Sequence, residues 1–346
     1  METFIHDFLE FSKGQYIVFQ LIPRGTEQPQ RHPRANVEVI SVTESRGPLK
    51  KIASLLRLVW RGSRAKAGDQ VFFVHKPELV PMIKVFAPTQ PVTLIVHNDF
   101  RKQLATAPPV LRYAKRLAVT MMEWIVRTMC KRVGLFGRLS ANRYSSRGNE
   151  VIELRAFFNE KIFPPPGDPS AKRAGIIWAG RLTKVKNPQL ALRVFAQIAN
   201  EVEDTLLVIG DGPLLGRLKK LSKHLGLENR VQFHPHLSRG ELGLYFRRAR
   251  VFLQTSLSEG APRTLLEAAA SGATVISTEE GDPEGWAHVR LPLPNEASGY
   301  SEFAEELKKA VKNGELRRTN LSQLPNASTE VPRVETALEL NRPTSL

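Results

Sequence analysis

The chain has 346 residues, 42% hydrophobic and 24% charged, which is long for one core and ordinary for a globular protein of two domains of about 150 residues each. One cysteine, Cys130, excludes a disulfide framework and fits a reducing cytoplasm. No apolar run approaches the roughly 20 residues of a membrane span, and no basic-then-apolar signal segment follows Met1. The net charge of +16 is uneven: residues 1–160 hold 25 Lys+Arg against 13 Asp+Glu, or +12, and residues 161–346 hold 25 against 21, or +4.

In chain order, residues 2–9 have apolar side chains at 4, 5, 8 and 9, the spacing of a helix packed on a sheet. Strand-like runs follow at 16–19, 37–40, 71–74, 92–96 and 133–136. Between them, 49–61 and 110–132 interleave Lys and Arg with Leu, Met, Trp and Val at helical spacing. Two readings of these stretches are open: helices that lie on an anionic membrane surface, and core helices whose polar faces are basic. The segment 161–174, with Pro164-Pro165-Pro166-Gly167-Asp168-Pro169, reads as a linker. The alternation then repeats, with strands at 176–179, 206–209, 231–233, 251–253 and 274–276 and helices starting near Pro188, Pro213, Ser238 and Thr264. Continuous apolar strands alternating with helices mean parallel sheets covered on both faces. The prediction is therefore α/β: two Rossmann-like, doubly wound parallel-sheet domains, over 1–160 and 175–315, with ligand crevices at the carboxyl ends of the strands. Residues 316–346, with Pro325, Pro332 and Pro343, read as a polar tail that is loose in part.

Four segments of the second half fall where such a crevice needs them. Gly180-Arg181-Leu182-Thr183-Lys184-Val185-Lys186-Asn187-Pro188 follows a strand, and its cations Arg181 and Lys186 can clamp a diphosphate without a metal. Gly210-Asp211-Gly212-Pro213 ends the next strand, where glycines permit close backbone approach. Phe233-His234-Pro235-His236 ends the third, at the height of a nucleobase. After the fourth, Glu259 and Glu267 stand eight positions apart around a Gly260-Ala261-Pro262 turn that leads through Arg263 and Thr264 into a helix. Such a turn aims backbone N–H groups at one point, a seat for phosphate. Glu259 can reach beyond that phosphate and Glu267 behind it, which suits a nucleoside diphosphate sugar. Taken alone, the same pair reads as two solvated acids at a loop-to-helix junction. In the first half, His75 and His97 each stand just past a strand, and Arg101 and Lys102 follow His97.

These residues resemble the retaining, metal-independent glycosyltransferases of GT-B architecture, the large "group 1" family that includes bacterial transferases for lipids and polysaccharides. The likeness rests on Gly180-Arg181-Leu182 with Lys186 and Asn187-Pro188, on Gly210-Asp211-Gly212-Pro213, and on Ser258-Glu259-Gly260 through Glu267-Ala268, closed by Ser271-Gly272. It is specific over about 175–280, a third of the chain. The resemblance implies two domains facing a central cleft, with Arg181 and Lys186 on the donor diphosphate, Glu259 on the donor sugar and Glu267 on the ribose. It places Gly180, Gly210, Gly212, Gly260, Ala261, Pro262, Arg263 and Thr264 around the donor. His97 would face the sugar near the reacting carbon, and His75, Arg101 and Lys102 would be acceptor-side candidates. It also implies a UDP- or GDP-sugar donor, a lipid-linked or saccharide acceptor, no cofactor and no metal. An Asp-x-Asp triplet, the usual holder of a metal on the diphosphate, is absent from the sequence. The expected location is cytoplasmic, with a peripheral place on the inner face of the plasma membrane suggested by the basic stretches.

Family members usually begin with a strand and a Gly-Gly loop, followed by a helix that reads much like Glu2-Thr3-Phe4. The first domain is therefore expected to lack its first strand, which leaves two alternatives: a reading frame that continues upstream, or a shortened, inactive homologue that binds sugar nucleotide or a partner. The family's final helix, which returns to the first domain, fits the Pro-bearing tail poorly. Other rivals are weaker. An epimerase would need a different acid/base set and a phosphorylase a lysine-linked cofactor. A nucleic-acid binder is disfavoured by the acidic crevice and by the lack of zinc-ligand or RNA-stacking motifs.

Overall fold

The computed structural model of the chain describes residues 2–12, 16–22, 37–43, 56, 60, 72–74, 77, 79–96, 109–136, 141–167, 172–294, 300–313 and 323–337. The chain divides into two compact units, Met1–Leu154 with Thr329–Leu346, and Arg155–Ser328.

The first unit starts with helix α1 (Glu2–Phe11), as the spacing of apolar residues predicts, and buries Phe8 and Leu9. Strands β1 (Tyr16–Ile22) and β2 (Val37–Thr43) pair in parallel. A separate four-stranded parallel sheet runs in the order β3 (Phe72–Val74), β4 (Val92–Val96), β5 (Arg132–Phe136) and β6 (Glu150–Leu154). Every residue of β4 and β5 is buried, as expected of strands with helices on their faces. Helices α2 (Leu79–Phe86) and α3 (Pro109–Met129) supply that cover, through Val80, Ile83 and Val126 among others. Cys130 sits in the same core. Burial pushes its thiol up to about 12, which removes it as a nucleophile at neutral pH.

The second unit is one six-stranded parallel sheet in the order β12-β11-β10-β7-β8-β9. Its strands are β7 (Ile176–Ala179), β8 (Leu206–Ile209), β9 (Val231–His234), β10 (Val251–Gln254), β11 (Thr274–Thr278) and β12 (Val289–Leu291). The interleaved helices are α4 (Pro188–Ile198), α5 (Leu215–His224), α6 (Arg239–Arg248), α7 (Arg263–Ala270) and α8 (Ser301–Asn313). Counted from β7, the strand order is 3-2-1-4-5-6, so the winding reverses between β7 and β10, which are direct neighbours. That reversal opens a crevice beyond the carboxyl ends of the two strands.

Three expectations change. Residues 161–174 were read as a linker from 1–160, but Phe157, Phe158 and Phe163 are buried and the second unit begins at Arg155. Phe158 bridges to Asn326, and Phe163 packs 6.2 Å from Phe246, so aromatic burial outweighs the Pro-rich composition here. The tail is not loose over 327–337: it forms helix α9 (Ala327–Ala337), which contains Pro332. Ala327, Val331 and Val334 recur on one buried face, and that burial tolerates the backbone hydrogen bond that Pro332 gives up. The Ser12 hydroxyl donates to Glu335 Oε1, so the returning helix is tied to the end of α1. Strands β6 and β12 were not anticipated; both are short and only partly apolar.

Candidate functional site

The loops after β7 and β8 are laced together by backbone. Gly180 N–H donates to Ile209 O (3.0 Å), Gly210 N–H to His234 O (3.0 Å), and Leu182 N–H to Asp211 O (2.8 Å). Two glycines make this approach possible. A Cβ at Gly210 (φ 132°) would stand 2.1 Å from Gly180 O, and one at Gly212 would stand 2.5 Å from Leu182 O. Arg181 projects from this loop and is exposed.

Past it, residues 183–187 form a knot that sets Lys186. Asn187 N–H donates to Thr183 O (3.1 Å), and Asn187 itself takes the left-handed conformation, φ 47° and ψ 51°, which Asn tolerates better than most residues. Pro188 then opens α4 at its first turn. The knot is braced from β10. Trp178 Nε1 donates to Thr255 Oγ1 (2.9 Å), Thr255 Oγ1 donates to Asn187 O (2.8 Å), and Leu257 N–H donates to Val185 O (2.7 Å).

Lys186 and Glu259 meet across the reversal point. Lys186 Nζ lies 2.5 Å from Glu259 Oε1, with the lysine side chain 32% exposed and the glutamate 8%. The same oxygen accepts from Ser256 Oγ (2.6 Å) and Gln254 Nε2 (3.2 Å), and Glu259 N–H donates to Glu280 O (2.9 Å). Three donors on Oε1 fix the carboxylate, while Oε2 accepts no hydrogen bond among the described residues. A fixed, nearly buried carboxylate with one open oxygen beside an ammonium group can hold a hydroxyl-bearing ligand whose neighbouring group is anionic.

Glu267 is also nearly buried, in the first turns of α7, but it is braced rather than open. Arg239 donates to Glu267 Oε1 (2.9 Å), and Arg263 lies 3.8 Å from the same oxygen. Arg263 departs from its expected place around a donor. Its guanidinium covers the Phe157 ring at 5.6 Å, its Nε donates to Phe157 O (3.2 Å), and its backbone N–H goes to Ala261 O (2.8 Å). It locks the start of α7 onto Phe157, ahead of the stretch 161–174. The helix start itself lies as predicted, with Pro262 at its amino end and Gly260 buried beneath it. At the end of β9, His236 N–H donates to Asp211 Oδ2 (3.1 Å), and His234 lies 6.0 Å from the Tyr245 ring.

Of the predicted residues, Gly180, Arg181 and Lys186 lie in the loop after β7, Gly210 and Gly212 in that after β8, and Glu259, Gly260, Ala261 and Pro262 in that after β10, while Thr264 and Glu267 lie in α7. His75, His97, Arg101 and Lys102 lie outside the described residues. Sequence reasoning missed Gln254, Ser256, Thr255 and Trp178, which hold Glu259 and Lys186 in place. It also missed Arg239 as the partner of Glu267. Ser256 three residues before Glu259 was the readable signal; Trp178 and Arg239 come from distant strands and helices and had none. Among the described residues, no group of three or more His, Cys, Asp or Glu side chains could hold a metal ion.

The second unit is thus a doubly wound α/β domain with a cation and a carboxylate paired across its reversal point. Residues 160–319, a little under half of the chain, match the family described as Glycosyl transferases group 1. Over 104 residues it is 36% identical to the alpha-monoglucosyldiacylglycerol synthase of Streptococcus pneumoniae, covering 30% of this chain and 23% of that protein. Over 167 residues it is 33% identical to a D-inositol 3-phosphate glycosyltransferase of an Arthrobacter strain, covering 42% and 40%. The matched stretch spans less than half the length of either relative. The fold is GT-B, two Rossmann-like units. The structure of sucrose-phosphate synthase from Thermosynechococcus elongatus superposes with a TM-score of 0.79 over 97% of this chain and 91% of its own, at 16% identity. A trehalose-phosphate synthase from Burkholderia xenovorans gives 0.70 over 97% and 95%, at 11% identity. At such identities the likeness carries the fold alone.

Proposed function

We propose that the chain transfers a hexosyl unit from a UDP- or GDP-sugar to a hydroxyl of a lipid-linked or saccharide acceptor, with retention of anomeric configuration and without a metal. The observation that carries this reading is the Lys186–Glu259 pair, 2.5 Å apart at the reversal point of the sheet. Open Glu259 Oε2 accepts from a donor sugar hydroxyl. The Lys186 ammonium, with two further N–H donors to spare, meets the diphosphate, and exposed Arg181 reaches the same anion from the other end of its loop.

As the bond from C1 to the phosphate oxygen breaks, negative charge grows on that oxygen, and two fixed cations there stabilise the transition state more than the ground state. The acceptor hydroxyl attacks C1 from the face the phosphate leaves, and its proton passes to the departing phosphate oxygen. The products are the glycoside and the free nucleoside diphosphate. No carboxylate is required as nucleophile. Glu267, braced by two arginines, is assigned to the ribose hydroxyls.

The test is Glu259→Ala and Lys186→Ala, assayed with UDP- and GDP-hexoses against lipid and saccharide acceptors, with nucleotide affinity measured by calorimetry. Glu259→Ala should keep nucleotide binding and lose roughly 10²-fold or more in turnover, while Lys186→Ala should weaken both. Activity should persist in chelator. Full activity in both variants would remove the assignment. Nucleotide binding by the unaltered chain, with no transfer from any donor, would instead identify an inactive homologue.

A further inference from the structure

Helix α3, at 21 residues, has two apolar faces, and only one packs into a core among the described residues. The inner face carries Val126 with partly buried Ile125 and Met129 into the core of the first unit. The outer face carries Tyr113, Leu117, Met121 and Trp124, which are 75%, 56%, 61% and 59% exposed. Positions i, i+4, i+8 and i+11 fall on one stripe of a helix, so the four side chains stand in a row rather than scattered. Arg112, Lys115, Arg116 and Arg127 are exposed on the same helix, and its one carboxylate, Glu123, is buried. The exposed surface of α3 therefore presents four large apolar groups in one stripe, bordered by Arg116 and Arg127, with Arg112 and Lys115 farther round the helix, and no exposed acid.

We infer that this face of α3 is a membrane contact, which lies in the plane of an anionic bilayer with Tyr113, Leu117, Met121 and Trp124 in the boundary between headgroups and acyl chains. A row of large exposed apolar groups is unusual on a protein that meets only water. Tyr and Trp suit a boundary that is apolar below and wet above, and Arg side chains can reach up from it to lipid phosphates. Charge decides against a second copy of the chain: a two-fold pairing of this face would bring Arg116 and Arg127 of one copy against a surface that carries the same cations and no exposed acid. The stretch 49–61 has the same chemistry, with Lys50, Lys51, Arg57 and Arg61, no acid, and Leu56 and Trp60 exposed. No helix among the described residues is long and apolar enough to cross a membrane, so the contact is interfacial. The inference does not rest on the donor-site reading, because every group in it belongs to the first unit.

The experiment is flotation of the full chain with vesicles of phosphatidylcholine alone, or with a third phosphatidylglycerol, at low and high salt. One variant combines Leu117→Ser with Met121→Ser, and a second combines Arg112→Glu with Arg116→Glu; all four positions are exposed, so melting midpoints should stay put. The chain should bind the anionic vesicles and release in salt, and each variant should lose roughly tenfold or more in partitioning. Brominated lipid should quench a fluorescence component that Trp124→Phe removes. Absence of binding, binding unchanged in both variants, or binding without that quenching would each overturn the inference. So would a concentration-dependent dimer that the Leu117/Met121 variant abolishes, which would make the face a contact between copies. None of these readouts needs a nucleotide sugar, so they stand or fall apart from the transferase assay.

Discussion

At the scale of single residues, the site depends on groups that never touch a ligand. The Thr255 hydroxyl accepts from Trp178 and donates to Asn187 O, and this one oxygen joins β7, β10 and the knot that aims Lys186. Thr255→Val keeps the shape and deletes the bridge, leaving the Trp178 N–H and the Asn187 carbonyl without this partner in a buried place. It should cost about 1–3 kcal/mol, read as a drop in the urea midpoint. It should also weaken nucleotide affinity, because Asn187 holds a left-handed conformation that needs its surroundings to fix it. An unchanged midpoint would show that the knot stands without the bridge. Residues of this kind were the least legible in the sequence. Glu259 and Lys186 could be found from type and place, since a carboxylate and a cation at strand ends mark a crevice. Trp178 read only as part of an apolar strand, and nothing in the sequence signalled that Arg263 covers the Phe157 ring and donates its Nε to Phe157 O.

At the scale of elements, the close approach of the loops after β7 and β8 sets the floor of the crevice. Gly210→Ala would put a methyl 2.1 Å from Gly180 O at a φ of 132° that L-residues avoid. Neither backbone can yield without breaking the Gly180–Ile209 and Gly210–His234 hydrogen bonds. The expected loss is about 3 kcal/mol or more, with weaker nucleotide binding in whatever fraction stays folded. Gly216→Ala, on the open surface of α5 where an added Cβ meets nothing within 4 Å, is the matched control and should be neutral or mildly stabilising. Strands β7 to β11 of the second unit were legible almost to the residue because continuous apolar runs mark them, whereas β12 and α8, which are less uniformly apolar, were not. The failures have a common physical cause. Phe163 leads straight into Pro164-Pro165-Pro166, and Val331 and Val334 flank Pro332, so local composition argued for loop while long-range burial decided otherwise.

At the scale of the whole molecule, the two units differ in how the chain closes them. The second, Arg155–Ser328, is one continuous segment with its own core, from Ile176 and Trp178 through Phe195 and Leu253 to Phe303 and Leu307. The first is discontinuous, because Thr329–Leu346 returns to it and ties α9 to α1 through Glu335 and Ser12. A continuous segment of that size with a sheet buried on both faces should fold alone. Apart from His97, every group assigned to the donor also lies inside it: Arg181, Lys186, Glu259, Glu267 and the glycine loops. The fragment 155–328 is therefore expected to unfold cooperatively in urea and to bind UDP or GDP within a few-fold of the full chain. It should transfer no sugar, because His97, expected near the reacting carbon, and the acceptor-side candidates His75, Arg101 and Lys102 are missing from it. Its affinity should also fall on Lys186→Ala, which ties the binding to the crevice rather than to general basic charge. A folded fragment that binds neither nucleotide, when the full chain binds one, would mean that the donor site needs groups from the first unit. That result would move the search for the missing contacts to the strand ends after β3 and β4.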